Sequence, residues 1–174
     1  MPDQGVSPIE ALVALGSNIR PELHLPSAVK ELASLGTGLR ASGVWESPPV
    51  GFVDQPNFCN AVVRLRTLLP PLEIRLRLRE IEERLGRVRD PLNKNGPRTI
   101  DLDLVLYGDV VANSNGLVLP DHELPTRPFL AVPAAEVAPD MTFPLTGEIL
   151  SKLAGRFPRA ESKLHRRTDI TLWQ

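Results

Sequence analysis

The segment Ile100-Asp101-Leu102-Asp103-Leu104-Val105-Leu106 alternates apolar and acidic residues, and few folds can accept it. A period of two marks a strand whose faces differ. The alternation puts the leucines on one face and both aspartates on the other. Two carboxylates two residues apart on one face repel, and Asp is a poor strand former. Such a strand needs open solvent or a cation between its acids. Hard oxygen donors on a rigid element suit Mg²⁺, which takes one or two carboxylates plus substrate phosphates. A solvated sheet face with two exposed aspartates is the competing reading at this point.

The residues before the strand favour the cation. Arg98 lies three positions ahead of Asp101, behind Gly96-Pro97, and Arg87, Arg89 and Lys94 precede it across a loop (Asp90–Gly96) rich in Pro, Asn and Gly. Arginine binds phosphate bidentately, and a cationic loop beside a carboxylate strand supplies the charge neutralisation that phosphoryl transfer needs. The other reading of Arg87 and Arg89 is a solvated helix end favoured by the C-terminal dipole. No GxxxxGK[ST] loop and no kinase-type glycine loop occurs in the sequence, so a bound nucleotide would be held by a different scaffold.

The rest of the chain supplies a sheet for this strand. Ile9–Leu15 reads as a buried strand ending in Gly16-Ser17-Asn18. Ser27–Leu35 reads as a helix with Val29, Leu32 and Ala33 on one face and Gly36 beyond its end. Leu39–Glu46 is a second strand, stopped by Pro48 and Pro49, and Phe58–Thr67 is a third. Within Pro70–Leu85, Ile74–Leu78 alternates like a strand. The proline at its start, Gly86 at its end and the length favour a helix. Ile100–Tyr107 is the last strand of the core, and Gly147–Phe157 is expected to hold a short third helix. Two strands in succession between strand–helix units predict an α+β ferredoxin-like sandwich, with a largely antiparallel sheet and helices packed on it.

At 174 residues the chain is read as one domain, 1–174, with a core of about 9–153 and a basic extension over 158–174 whose role the sequence leaves open. Net charge is −1, which lacks the basic field of a general nucleic-acid binder. The basic residues instead concentrate in 71–98 and in the last 24 residues, a pattern suited to a small anionic ligand. The single cysteine, Cys59, excludes an internal disulfide and is read as a small buried residue. No signal pattern or apolar run of membrane length is present, so a cytoplasmic, monomeric protein without nucleic-acid or membrane partners is expected.

The segment from Lys94 to Val105 resembles the signature of the 6-hydroxymethyl-7,8-dihydropterin pyrophosphokinase family of folate biosynthesis. Ala14-Leu15-Gly16-Ser17-Asn18, Ser47-Pro48-Pro49-Val50-Gly51, Asp54–Ala61, Gly86-Arg87-Val88-Arg89 and Glu136-Val137-Ala138-Pro139 resemble further landmarks of that family, in the same order. The resemblance runs from about Ile9 to about Leu153. It implies a ferredoxin-like fold and transfer of pyrophosphate from ATP to the pterin hydroxymethyl group, with AMP released. It also implies two Mg²⁺ ions held by Asp101 and Asp103. Arg87 and Arg98 would act with these aspartates in catalysis. Arg87, Arg89, Lys94, Arg98, Glu82, Leu104, His122 and Arg127 would bind ATP. Phe58 and Phe129 would sandwich the pterin, Asn60 would read its amide edge, and Ser47, Pro48, Pro49 and Val50 would complete the pocket.

The sequence departs from the family pattern in three places. Asp121 stands where the family usually has histidine after the proline, with His122 one position later. Asn95 replaces a tryptophan in an arginine loop one residue longer than usual, and Arg79 stands at a frequent glutamine. Two other readings remain: a family member that binds but does not turn over, and a ferredoxin-like RNA- or ligand-binding module. RNA-binding modules usually present a basic sheet face with exposed aromatics. Here that face carries acids, and aromatic residues make up only 5% of the chain.

Overall fold

The architecture follows from two long central strands whose buried residues enter cores on both sides of the sheet. In a computed structural model describing residues 6–172, the elements run in the order β1 (Ile9–Ser17), α1 (Pro21–Leu32), β2 (Thr37–Ala41), β3 (Val44–Ser47), β4 (Phe58–Thr67), α2 (Pro71–Arg84), β5 (Asp101–Tyr107), β6 (Ala112–Ser114), β7 (Leu117–Leu119), α3 (Pro128–Val137), α4 (Leu150–Ala154) and β8 (His165–Arg167). β1 and β4 pair antiparallel from Ile9 opposite Thr67 to Ser17 opposite Cys59. Ala11, Val13 and Leu15 join Ala61, Val63 and Leu65 in one core, while Leu12, Ala14 and Val62 enter a second core on the opposite face. A sheet apolar on both sides must be covered on both. Accordingly α1 and α2 pack on the first face, and α3 and α4 on the second.

The main sheet has the order β5-β1-β4-β3-β8, with β2 also against β4. Its strand pairs are antiparallel. The expected α+β sheet with packed helices is therefore present. Cys59 is buried, as expected for a small apolar residue. Among the described residues, no helix is long and apolar enough to cross a membrane.

The alternation at Ile74–Leu78 resolves as a helix. Ile74, Leu78 and Ile81 form the buried stripe of α2 and Leu76 faces solvent. Gly86 follows at φ +79°, a left-handed conformation that favours glycine.

Several expectations need correction. α1 begins at Pro21 rather than Ser27, because Pro21 occupies the first turn where its missing N–H costs nothing, and the helix runs on through Pro26. The strand expected over Leu39–Glu46 is two, β2 and β3, broken at Ser42-Gly43. There the Ser42 N–H donates to the Val62 carbonyl at 2.9 Å, and the Val62 N–H donates to Ser42 Oγ at 2.9 Å, so a side chain stands in for a ladder acceptor. Leu106 does not share the face of Leu102 and Leu104. A register shift between Leu12 and Val13 puts one extra residue in β5, so Val105 and Leu106 both enter the second core.

The β6–β7 hairpin and α3 were not expected. The hairpin turns on Asn115 and Gly116, both at positive φ, as a two-residue turn of this kind requires. α3 begins at Pro128 and also runs through an internal proline, Pro133. The third helix expected in Gly147–Phe157 is only α4, five residues long.

Candidate active site

Asp101 and Asp103 lie on the α3 side of the sheet, opposite Gly16 and Ala14 of β1. Both neighbours are small, so the floor beside the two acids is open. Three cavities meet here. A cleft of about 260 Å³ is bounded by Ser47, Pro48, Val50, Phe58, Asn60 and Phe129, and reaches both aspartates, Arg98, Asp121 and Arg127. A cavity of about 560 Å³ is lined by Arg87, Arg89, Lys94, Arg98 and Asp101. A third, of about 340 Å³, is lined by Arg75, Leu104, Gly116, His122, Asp103 and Asp121. Asp101 and Arg98 border the first two, and Asp103 and Asp121 border the first and third.

The two aspartates are not equivalent. Asp101 Oδ2 takes an ion pair from Arg98 Nη1 at 3.1 Å, and its Oδ1 lies 3.5 Å from Arg87 Nη1. Arg87 also donates to the Ile100 carbonyl at 2.8 Å, and its own Nε is buried without a partner among the described residues. Burial lowers the Arg87 pKa, and the charge of Asp101 opposes that shift. Asp103 has no cationic partner among the described residues. Its carboxylate opens into the cleft but lies deep among protein atoms. Desolvation first, then Asp101, Glu82 and Asp121, push it up to about 7. A hard divalent cation would relieve both the desolvation and the repulsion, and this donor set fits one.

Arg98 is fixed from several sides. Its Nε donates to the Gly96 carbonyl at 3.1 Å and its Nη2 to the Lys94 carbonyl at 2.9 Å. Its guanidinium lies 5.4 Å from the Phe58 ring centre. The Arg98 N–H donates to Asn18 Oδ1 at 2.9 Å. Asn18 Nδ2 in turn donates to Gln55 Oε1 at 2.9 Å, and Gln55 Nε2 to the Asn95 carbonyl at 2.6 Å. Sequence reasoning gave Asn18 and Gln55 no role, because each acts through residues distant in the chain. Asn95, one of the departures from the resembled pattern, lines the cleft.

Asn60 is buried, and its amide nitrogen donates to Ser47 Oγ at 2.9 Å and the Trp45 carbonyl at 3.1 Å. Its oxygen accepts nothing among the described residues and lies near Gly16 at the cleft floor.

Of the residues expected for the pterin, all but Pro49 line the one cleft. The residues expected for ATP divide differently. Arg87, Arg89, Lys94 and Arg98 gather in the cationic cavity, and Leu104 and His122 in the third. Arg127 lines the cleft and pairs with Glu123 at 3.2 Å. Glu82 lines none of these cavities. One carboxylate oxygen accepts the Leu102 N–H at 2.8 Å on the free edge of β5, and the other pairs with Arg89. Burial raises its pKa. Asp121 accepts the Glu123 N–H at 2.8 Å, and burial raises its pKa too.

An α+β sandwich that sets paired strand carboxylates between a cationic cavity and an aromatic-walled cleft has the form of a phosphoryl-transferring enzyme. The chain belongs to the 7,8-dihydro-6-hydroxymethylpterin-pyrophosphokinase family, whose model matches residues 12–139. It is 37% identical over 152 residues to the 2-amino-4-hydroxy-6-hydroxymethyldihydropteridine pyrophosphokinase of Haemophilus influenzae, covering 86% of this chain and 93% of that one. It is 40% identical over 145 residues to the Synechocystis enzyme of the same name, covering 82% of this chain and 73% of the relative. The crystal structure of Plasmodium falciparum wild-type HPPK-DHPS superposes with a TM-score of 0.70 at 12% identity, covering 91% of this chain. That likeness is one of fold, and this chain spans about half of the Plasmodium chain (48%).

Proposed function

We propose that this protein transfers the pyrophosphoryl group of ATP to the hydroxymethyl oxygen of 6-hydroxymethyl-7,8-dihydropterin, releasing AMP and the pterin diphosphate for folate synthesis. The observation that carries the reading is that Asp101 borders both the aromatic-walled cleft and the cationic cavity, with Asp103 beside it where the cleft meets the third cavity. The pterin ring would lie between Phe58 and Phe129, whose faces suit a flat heterocycle. Asn60 would offer its free carbonyl oxygen to a ring N–H, with its amide nitrogen already held by Ser47 and Trp45. Arg87, Arg89, Lys94 and Arg98 would hold the phosphates, and the nucleoside would extend toward Leu104 and His122.

The pterin oxygen forms a bond to the β-phosphorus as the bond from that phosphorus to the α-phosphate oxygen breaks. The electron pair leaves with AMP, and the hydroxyl proton passes to solvent. Two Mg²⁺ ions bound by Asp101 and Asp103 would neutralise the phosphates and acidify the hydroxymethyl group. Arg87 and Arg98, already directed at Asp101, would turn to the charge that develops on the transferring group. The aspartates would keep donor and acceptor within reach of one another. No side chain is needed as a strong base.

Incubating the protein with ATP, Mg²⁺ and the reduced pterin, and resolving nucleotides by anion exchange, should give AMP in step with pterin diphosphate. ADP as product, or no product with normal binding of both substrates, would overturn the proposal.

A further inference from the structure

The basic C-terminal segment, which lies beyond the residues matching the family model, is bound into the sheet at the strand that carries the cleft wall. β8 pairs with β3, with Val44 opposite Arg167 and Glu46 opposite His165. After it, Ile170 and Leu172 enter the first core.

Consecutive arginines of β8 hold β3 from its two faces. On the cleft side, Arg166 lies 5.2 Å from the Trp45 ring and pairs with Glu136 at 3.0 Å, and Trp45 Nε1 donates to the same carboxylate at 3.0 Å. A Cβ on Gly43 would meet the Arg166 guanidinium at 2.0 Å, so glycine there leaves room for it. On the opposite side, Arg167 Nη1 donates to Glu46 Oε2 at 2.7 Å. Its Nε and Nη2 make a two-point pair with Asp169, each at 2.8 Å. The other Glu46 oxygen accepts from Asn57 Nδ2 at 3.1 Å. Glu46, the residue before Ser47, is thereby joined to Asn57, the residue before Phe58, and Ser47 and Phe58 are directly opposed in the β3–β4 ladder. The Asn57 hydrogen bond and Arg167 both lower the Glu46 pKa, and Arg167 is held charged by the two carboxylates.

We infer that the C-terminal segment is a strap that sets the pterin-side wall, with Arg167 as a positioning residue acting through Glu46 on Ser47 and Phe58. This rests on the reading of the cleft as the pterin site. The strap acts on one substrate and leaves the other untouched, because the cationic cavity is built from the loop after α2 and the start of β5.

The test is calorimetric titration of the full chain, loaded with Mg²⁺ and a non-hydrolysable ATP analogue, with 6-hydroxymethylpterin, beside steady-state kinetics. Arg167→Met should weaken pterin affinity roughly fivefold to tenfold and leave analogue affinity unchanged. Arg167→Lys should restore part of the loss. Leu172→Ala supplies the stability control, since it removes core packing after β8 and leaves the Arg167–Glu46 pair in place. It should lower the melting temperature at least as much as Arg167→Met, with pterin affinity near wild type. An Arg167→Met affinity within twofold of wild type, or an equal loss in Leu172→Ala, would overturn the inference. Failure of the wild-type protein to bind the pterin would instead overturn the reading of the cleft.

Discussion

The two ends of the site are built on opposite electrostatic principles. At the β3–β4 end, polar groups are matched in advance: Asn60 donates to Ser47 and Trp45, and Glu46 receives both Asn57 and Arg167. At the β5 end, charges are left in excess. Asp103 has no cationic partner among the described residues, and Asp101, Glu82 and Asp121 all oppose its ionisation. A pocket for a neutral ring gains from being pre-formed, since little ordering remains at binding. A site for metal and phosphate gains from being incomplete, since the ligand's charge then relieves strain already present.

The largest expected effect lies at the unmatched end. Asp101→Ala and Asp103→Ala should each lower kcat/KM by roughly a thousandfold, measured as AMP release, while pterin binding to the free protein stays measurable. Equal loss of pterin affinity would break the contrast between the two ends. Arg98→Ala follows at about a hundredfold, with a rise in ATP KM, because on the proposed reading it removes a phosphate contact, and it frees Asp101 of its ion pair. Asn60→Ala tests the matched end. It should raise pterin KM about tenfold with ATP KM near wild type, the value of one or two buried hydrogen bonds.

A pH effect separates the ends further. Asp103 binds its proton more tightly folded, with a pKa of about 7, than at its ordinary 3.8. The folded state thus holds more protons than the unfolded chain across that range, and stability of the ligand-free protein falls as pH rises from about 4 to about 7. Asp103→Asn should flatten that fall in a melting-temperature series, and added Mg²⁺ should reverse it in wild type. The smallest effect is expected from Asp121→Asn. With one repelling carboxylate gone, the acid limb of the wild-type activity profile should move to lower pH by a few tenths of a unit.

Much of this was legible in the chain. Phe58–Thr67 forms β4 over the range its alternation predicts, and α2 lies within one residue of its expected ends, because local periodicity and proline and glycine punctuation agree there. Asn115-Gly116 is a hairpin signal in the sequence, and the structure turns the β6–β7 hairpin on it. α1 begins ahead of its expected start at Ser27, and α1 and α3 each run through a proline because each packs an apolar face on the sheet. The bulge that turns Leu106 to the second core leaves no mark in the sequence, since leucine suits either face.

The paired aspartates, the arginines before them and the strand that carries them are readable in the chain, since spacing of two along a strand is a local property. It takes the folded chain to show that Asp101 is ion-paired while Asp103 has no cationic partner among the described residues, and that Glu82 turns inward to the edge of β5. Folding alone brought Asn18, Gln55 and Asn95 into one hydrogen-bonded chain, and bound the C-terminal segment behind the cleft wall. Each of these depends on which groups meet across the sheet, and burial and neighbouring charge act through space rather than along the chain.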